Sequence, residues 1–320
     1  MAWFHTAAGL VIASDRPLPA AALPEAVTAD LAAADLATAD LATADLIIAD
    51  AADPPGIGSD GDASGPNWCI RRWNGARGLW MIHEPDGRAV WMTRPDRLDV
   101  YAPDPVLRDL AWTTAASSGL VAALLVRGRL PLHAAAVVVA GRAILIAGAS
   151  GRGKSTLAAA LIGAGGQVIA DDMVSPVVAD GRVTATPVLP RLRLMADAAQ
   201  ALGFTGPPAP DGKILVAPAA DPAPDPVPVA GLVLLGPRTD GPARLTRLAA
   251  LVALREIGAQ ITGGPRTLPL YGVTARFSQA MLDLARHMPV LTLSLPQGLD
   301  RLADIARALP EMIQRDGAAS

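Results

Sequence analysis

Hydrophobic residues along this chain follow two rhythms. Up to about residue 110 they come in short runs cut by turn residues. Ala8–Ser14, Trp68–Trp73, Leu79–Ile82 and Ala89–Met92 read as strands, with Asp15-Arg16-Pro17, Gly75, Gly78 and Pro85-Asp86-Gly87 as stops and turns between them. That pattern predicts an antiparallel meander. Over Pro105–Val126, Leu107, Leu110, Ala111, Thr114 and Ala115 recur at helical spacing, with Pro105 suited to the first turn and Gly128 to the stop.

From Leu132 strands and helices alternate. Ala134–Val139 reads as a strand, then a turn at Gly141-Arg142, then a strand Ala143–Ala147 that runs into a glycine-rich loop. Ser155–Gly163 reads as a helix and Gln167–Ala170 as a strand ending in Asp171-Asp172. Ala196–Leu202 is helical with Gly203 as cap, and Pro207–Pro228 is a Pro-rich surface excursion with Lys213 on a short strand inside it. Val229–Leu235 and Pro289–Leu295 read as strands, and Leu248–Gln260, Ser278–Arg286 and Leu299–Leu309 as helices. The alternation predicts an α/β domain over 129–320, preceded by a small β-rich domain with a helical connection over 1–128.

Two segments stand outside these rhythms. Ala29-Asp30-Leu31, Ala34-Asp35-Leu36, Ala39-Asp40-Leu41 and Ala44-Asp45-Leu46 recur with a period of five. The spacing is that of pentapeptide β-helices, but this many copies make only about one coil, so a surface loop or short Ala-rich helix is favoured. Residues 50–66, rich in Gly, Pro, Asp and Ser, read as loop.

Composition narrows the function classes. The chain is 51% hydrophobic with net charge −3 and has no basic block, which argues against a nucleic-acid partner. Cys69 is the only cysteine, so no internal disulfide or Cys-based metal site is expected, and it reads as a small apolar core residue. Five of the six tryptophans lie in the first hundred residues, where core packing is their expected role. The first residues lack a secretion signal, and the apolar run Val137–Ala147 is broken by Gly141-Arg142 and too short to cross a membrane. A cytoplasmic protein without membrane contact is expected.

The chemistry concentrates in Gly148-Ala149-Ser150-Gly151-Arg152-Gly153-Lys154-Ser155, followed by Thr156, which fits G-x-x-x-x-G-K-[ST], the phosphate-binding loop. The chain has 27 basic residues and only two, Lys154 and Lys213, are lysine. Arginine, a planar fork of donors, does not replace the compact ammonium this loop requires. The N–H groups of Ser150 to Ser155, at a helix start, form a nest for phosphate. Lys154 reaches the β and γ phosphates, and the Ser155 hydroxyl binds Mg²⁺. ATP and Mg²⁺ are the implied cofactors.

Asp171 and Asp172 are expected on a strand beside the loop strand. One would hold Mg²⁺, the other take a proton from an attacking hydroxyl. His133 would reach Asp171 if their strands are neighbours. Arg191 and Arg193 alternate on a strand pattern and face one side, where they suit a phosphate or an acceptor carboxylate. Arg255, Arg266 and Arg276 are further arginine candidates.

His133 precedes Lys154 by 154 − 133 = 21 residues, and Asp171 follows it by 171 − 154 = 17. With the run from His133 to Val174, these intervals resemble the catalytic core of the HPr kinase/phosphorylase family. The resemblance implies a P-loop kinase core of the type shared with phosphoenolpyruvate carboxykinase, and phosphoryl transfer to a protein serine. It implies Asp171 as general base, His133 as its partner, Lys154 and Ser155 as ligands of phosphate and metal, and Asp172 as a second metal ligand. The family is hexameric, so a homo-oligomer is an open expectation.

The E-[IV]-R-G-x-G motif of the bifunctional enzymes is absent from Pro187–Leu194. Gly9-Leu10, Ile12, Ser14-Asp15, Pro17-Leu18-Pro19 and Pro190-Arg191-Leu192-Arg193-Leu194 instead resemble the shorter HPr kinase-like proteins, some of which accompany lasso-peptide biosynthesis. That implies a precursor peptide with a C-terminal serine as acceptor. A small-molecule hydroxyl acceptor, such as free serine, a non-enzymatic ATP-binding regulator and nucleotidyl transfer stay open.

Overall fold

The structure is a computed structural model. It describes all residues except 1–2, 8–9, 17, 19–43, 54–60, 66–67, 72–79, 187–191, 209–211, 217–225, 263–273 and 319–320. The chain divides into two units, Met1–Arg129 with Gly263–Phe277, and Leu130–Thr262 with Ser278–Ser320.

The first unit contains β1 (Trp3–Ala7), β2 (Leu10–Ser14), β3 (Leu46–Asp50), β4 (Gly61–Gly65), β5 (Trp68–Arg71), β6 (Trp80–His83), β7 (Ala89–Arg94) and β8 (Arg97–Tyr101). They form one sheet in the order β1-β2-β3-β8-β7-β6-β5-β4. β4 to β8 make the expected antiparallel meander, while β2, β3 and β8 are parallel neighbours. β4 falls where the composition reads as loop. Its ladder with β5, Ala63 opposite Ile70 and Gly65 opposite Trp68, overrides weak local propensity.

Of the period-five repeat only Ala44, Asp45 and Leu46 are described. Asp45 accepts a hydrogen bond from the Val11 N–H at 2.8 Å and Leu46 opens β3 in the core. The earlier copies lie outside the described residues, as does the side chain of Cys69.

Helix α1 (Pro105–Val126) follows, with the Asp104 carboxylate capping the Val106 N–H at 2.7 Å and a π-helical turn over Ala115–Gly119. By length and apolar composition it could span a membrane, but 67% of its most apolar window is buried in the structure. A Cβ on Gly119 would stand 2.9 Å from Leu98 Cδ1, so a small residue here lets the helix approach β8. Trp91 and Trp112 are buried, as expected of core tryptophans.

The second unit holds β9 (Ala134–Val139), β10 (Arg142–Ala147), α2 (Lys154–Gly163), β11 (Gln167–Ala170), β12 (Ser175–Ala179), β13 (Arg182–Thr186), β14 (Leu192–Leu194), α3 (Ala196–Ala201), β15 (Ile214–Val216), β16 (Val227–Leu235), β17 (Arg244–Arg247), α4 (Ala250–Ala259), β18 (Val290–Ser294) and α6 (Leu302–Ala318); α5 (Thr274–His287) begins in the first unit and ends in the second. Its main sheet runs β11-β9-β10-β16-β13-β12, with β18 and then β17 also joined to β16. β10, β16 and β18 are parallel, and β9 is antiparallel to both β10 and β11.

The Asp strand is therefore not beside the loop strand: β9 lies between them. The turn through Ala140 and Gly141, at φ 49° and 75°, folds β9 back onto β10 and fills that edge, so β11 pairs with the far side of β9. α6 also differs. Pro310 reads as a stop, yet the helix continues through it because Leu309 and Ile313 stay on its buried face.

β14 and β15 form a separate two-stranded ladder with Arg193 opposite Leu215. Leu192, Leu194 and Val216 point into the core with Leu157 and Leu161 of α2 and Ile146 of β10.

Candidate active site

Antiparallel β9 determines which residues meet. Its first residue, Ala134, pairs with Ala147 at the end of β10, so its N-terminal end shares an edge with the C-terminal ends of β10 and β11. His133, the glycine loop and the Asp pair gather at that edge.

The loop folds as its glycines require. Gly148, Gly151 and Gly153 have φ of 136°, 77° and 96°, a region closed to most residues with a Cβ. A Cβ on Gly148 would also lie 3.1 Å from the Leu235 carbonyl oxygen. Gly153 precedes α2, and no side chain hydrogen-bonds the helix N-terminus. The first N–H groups of α2 are thus left for an anion. Lys154 Nζ donates to the Gly148 carbonyl at 2.9 Å, so the ammonium folds over its own loop. Ala149, Ser150 and Arg152 lie in the loop between β10 and α2, and Thr156 lies in the first turn of α2.

Asp171 and Asp172 differ sharply in surroundings. Asp171 is buried: its Oδ1 accepts from the Ser155 hydroxyl at 3.4 Å and its Oδ2 from the Arg193 backbone N–H at 2.9 Å. Asp172 is exposed. Its Oδ1 lies 3.6 Å from His133 Nε2 and its Oδ2 is 3.3 Å from an Arg193 guanidinium nitrogen. The His133 contact expected for Asp171 is therefore made to Asp172. In a continuing strand the two side chains would point to opposite faces. β11 ends at Ala170, and Asp172 adopts φ 117°, a left-handed conformation costly for a residue with a Cβ.

Burial is the main cause that raises the Asp171 pKa, and the charge of Asp172 adds to it, while the Arg193 N–H bond, the Arg193 guanidinium and Lys213 oppose it. Burial lowers the Lys154 pKa; Asp172 and Asp171 pull it back up, and Lys213 pushes it further down.

Two residues that the linear pattern does not single out hold this edge together. Gln260, which ends α4, accepts the Gly148 N–H on its side-chain oxygen at 3.2 Å and the His133 N–H on its carbonyl at 2.6 Å. It ties the loop to the histidine. Arg238 follows β16, the parallel neighbour of β10. One guanidinium nitrogen lies 3.1 Å from where a Gly153 Cβ would be, and another donates to the Pro296 carbonyl at 2.9 Å. The available signal was Gly236-Pro237-Arg238 directly after a strand that can flank the loop strand.

Other expected arginines lie elsewhere. Arg191 and Arg266 fall outside the described residues. Arg255 is exposed on α4 and pairs with Glu256 at 2.7 Å, and Arg276 belongs to the first unit, against Gly128.

The donor set suits a hard cation held jointly with phosphate. Among the described residues no three His, Cys, Asp or Glu side chains gather to hold a metal by themselves. The Ser155 hydroxyl and Asp171 carboxylate, side by side, offer two oxygen ligands, and Mg²⁺ commonly takes the rest from phosphate and water.

No protein-family model matches the chain, and no curated protein does either. A solved structure, the HPr(Ser) kinase/phosphatase from Coxiella burnetii, is similar over 58% of this chain and 97% of its own, at 16% identity and a TM-score of 0.31.

Proposed function

We propose that this protein is a kinase that transfers the γ-phosphoryl group of ATP to a hydroxyl, with a serine of a peptide as acceptor. The observation that carries the reading is the division of labour at one sheet edge: an uncapped helix start with its glycine loop, a buried carboxylate bonded to the loop serine, and an exposed carboxylate beside a histidine. A pure nucleotide binder has no use for the exposed pair.

The surroundings of the two carboxylates favour roles exchanged from those the sequence suggests. Asp171, beside Ser155, belongs to the metal; bound there, Mg²⁺ would neutralise charge on the phosphates. Asp172 faces solvent, where an acceptor can arrive, and takes its proton. His133 and Arg193, on its two oxygens, orient it. The loop N–H groups and Lys154 hold the β and γ phosphates, which requires Lys154 to leave the Gly148 carbonyl. The acceptor oxygen then bonds to the γ phosphorus as the bond to the β,γ-bridging oxygen breaks. ADP leaves with that electron pair, and the acceptor proton passes to Asp172.

The peptide acceptor rests on the resemblance of Gly9–Pro19 and Pro190–Leu194 to the shorter HPr kinase-like proteins. Incubation with ATP, Mg²⁺ and peptides with C-terminal or internal serine, or free serine, tests it by mass spectrometry. A gain of about 80 Da, one phosphoryl group, on a peptide supports the reading. Gain on free serine alone moves the acceptor to small molecules, and gain on none removes the kinase reading.

A further inference from the structure

The chain's only other lysine comes to this same edge, and the mechanism above does not use it. Lys213 sits directly before β15, after Gly212 at φ 77°. β14 and β15 pair with Arg193 opposite Leu215, and the flanking Leu192, Leu194 and Val216 point into the core. Arg193 therefore projects from the other face, where it meets Asp172 at 3.3 Å. Lys213, two residues before Leu215, shares that face by strand alternation.

Its charge acts on both Asp171 and Lys154, the buried carboxylate and the loop ammonium. That influence is the smallest on either group, and it places the ammonium within electrostatic reach of the face where Arg193 meets Asp172. Composition sharpens the point. Of 27 basic residues 25 are arginine, and the two lysines lie in the loop and directly before β15. A compact ammonium fits between phosphate oxygens where a guanidinium fork is too broad.

We propose that Lys213, carried by the β14–β15 ladder, contacts the γ-phosphate of the bound nucleotide as a second ammonium alongside Lys154. This rests on the reading of the loop as a nucleoside triphosphate site. Lys154 comes from the loop and spans the β and γ phosphates; Lys213 comes from a different element and senses only the terminal group. The ladder thereby discriminates ATP from ADP, and Lys213 holds charge against the phosphoryl group as it moves toward an acceptor at Asp172.

The test needs no acceptor. Binding of ATP and of ADP, each with Mg²⁺, is measured by calorimetry for the wild type, Lys213→Met and Lys213→Arg, with circular dichroism and thermal unfolding as fold checks. The proposal expects Lys213→Met to lose roughly ten- to hundredfold in ATP affinity, the worth of a hydrogen bond to a charged group, with ADP affinity within about twofold of wild type. Lys213→Arg should recover only part of the loss. An unchanged ATP-to-ADP ratio in Lys213→Met overturns the proposal and leaves the nucleotide site standing. Equal loss for both nucleotides also overturns it, since the lysine would then serve the β phosphate or the ladder itself. A wild-type protein that binds neither nucleotide overturns the nucleotide reading and this proposal together.

Discussion

His133 Nε2 lies 3.6 Å from Asp172 Oδ1, although the residues are 39 positions apart (172 − 133) and their strands run in opposite directions. The contact exists because β9 runs against both neighbours, which brings its first residue to the edge where the other two strands end. In the proposed reaction the exposed carboxylate is the one that takes the proton. Asp172→Asn should lower phosphoryl transfer by about 10²–10⁴-fold, the usual worth of a general base, with ATP affinity nearly unchanged. His133→Gln should cost less, roughly ten- to hundredfold. Steady-state kinetics with separate nucleotide binding checks both. A larger effect at Asp171 than at Asp172, with metal binding intact, would restore the order the sequence suggested.

Asp171 has a different signature. Burial raises its pKa, so the folded state favours its protonated form. Stability from that preference is complete below the unfolded pKa, about 3.9, and is lost as pH rises through the raised folded value. Without Mg²⁺, Asp171→Asn should therefore be the more stable protein at pH 8. The expected gain is about 1 kcal/mol, or roughly 2–4 °C in Tm, shrinking as pH falls toward 4. Excess Mg²⁺ with ATP should stabilise the wild type more than the variant. Thermal melts across pH check the sign.

Gly148 and Gly153 test the loop's backbone. Both have positive φ, and a Cβ at either lies 3.1 Å from a neighbour, the Leu235 carbonyl for Gly148 and the Arg238 guanidinium for Gly153. The Arg238 side chain can give way; the Leu235 backbone cannot. Gly148→Ala should destabilise the fold by about 1–3 kcal/mol, whereas Gly153→Ala should chiefly weaken nucleotide binding. Denaturant unfolding beside calorimetric titration separates the two.

Lys154→Ala should abolish measurable ATP binding, because it removes the ammonium that spans two phosphates. Lys154→Arg should not rescue it, since the fork does not fit where Nζ now reaches the Gly148 carbonyl at 2.9 Å. Arg238→Met should weaken ATP roughly tenfold if its guanidinium, beside Gly153, turns to the phosphates. Equilibrium binding checks all three.

Much of this was legible in the chain. The elements from β9 to β11 follow from apolar runs broken by glycine, and the loop's glycines are where positive φ demands them. The Asp pair and His133 are visible as residue types at set intervals. Partners were less legible. Local pattern describes each strand but not its neighbours, so the placement of β9 between β10 and β11 was missed. So were Gln260 and Arg238, which reach the loop from 112 and 84 positions beyond its first glycine and its lysine (260 − 148, 238 − 154). β4 was missed because its residues are poor strand formers and only the ladder with β5 makes them one.

The sequence by itself determined that a glycine-rich loop opens a helix after a buried strand, because glycines at those spacings accept the positive φ values the turn needs. Only the tertiary structure decided which carboxylate meets the serine and which meets the histidine. Spacing does not say which of two adjacent carboxylates turns inward once the strand has ended; the left-handed turn at Asp172 with burial of Asp171 decides it. The second lysine shows the same divide: its rarity is written in the composition, its position at the start of a strand paired with β14 only in the fold.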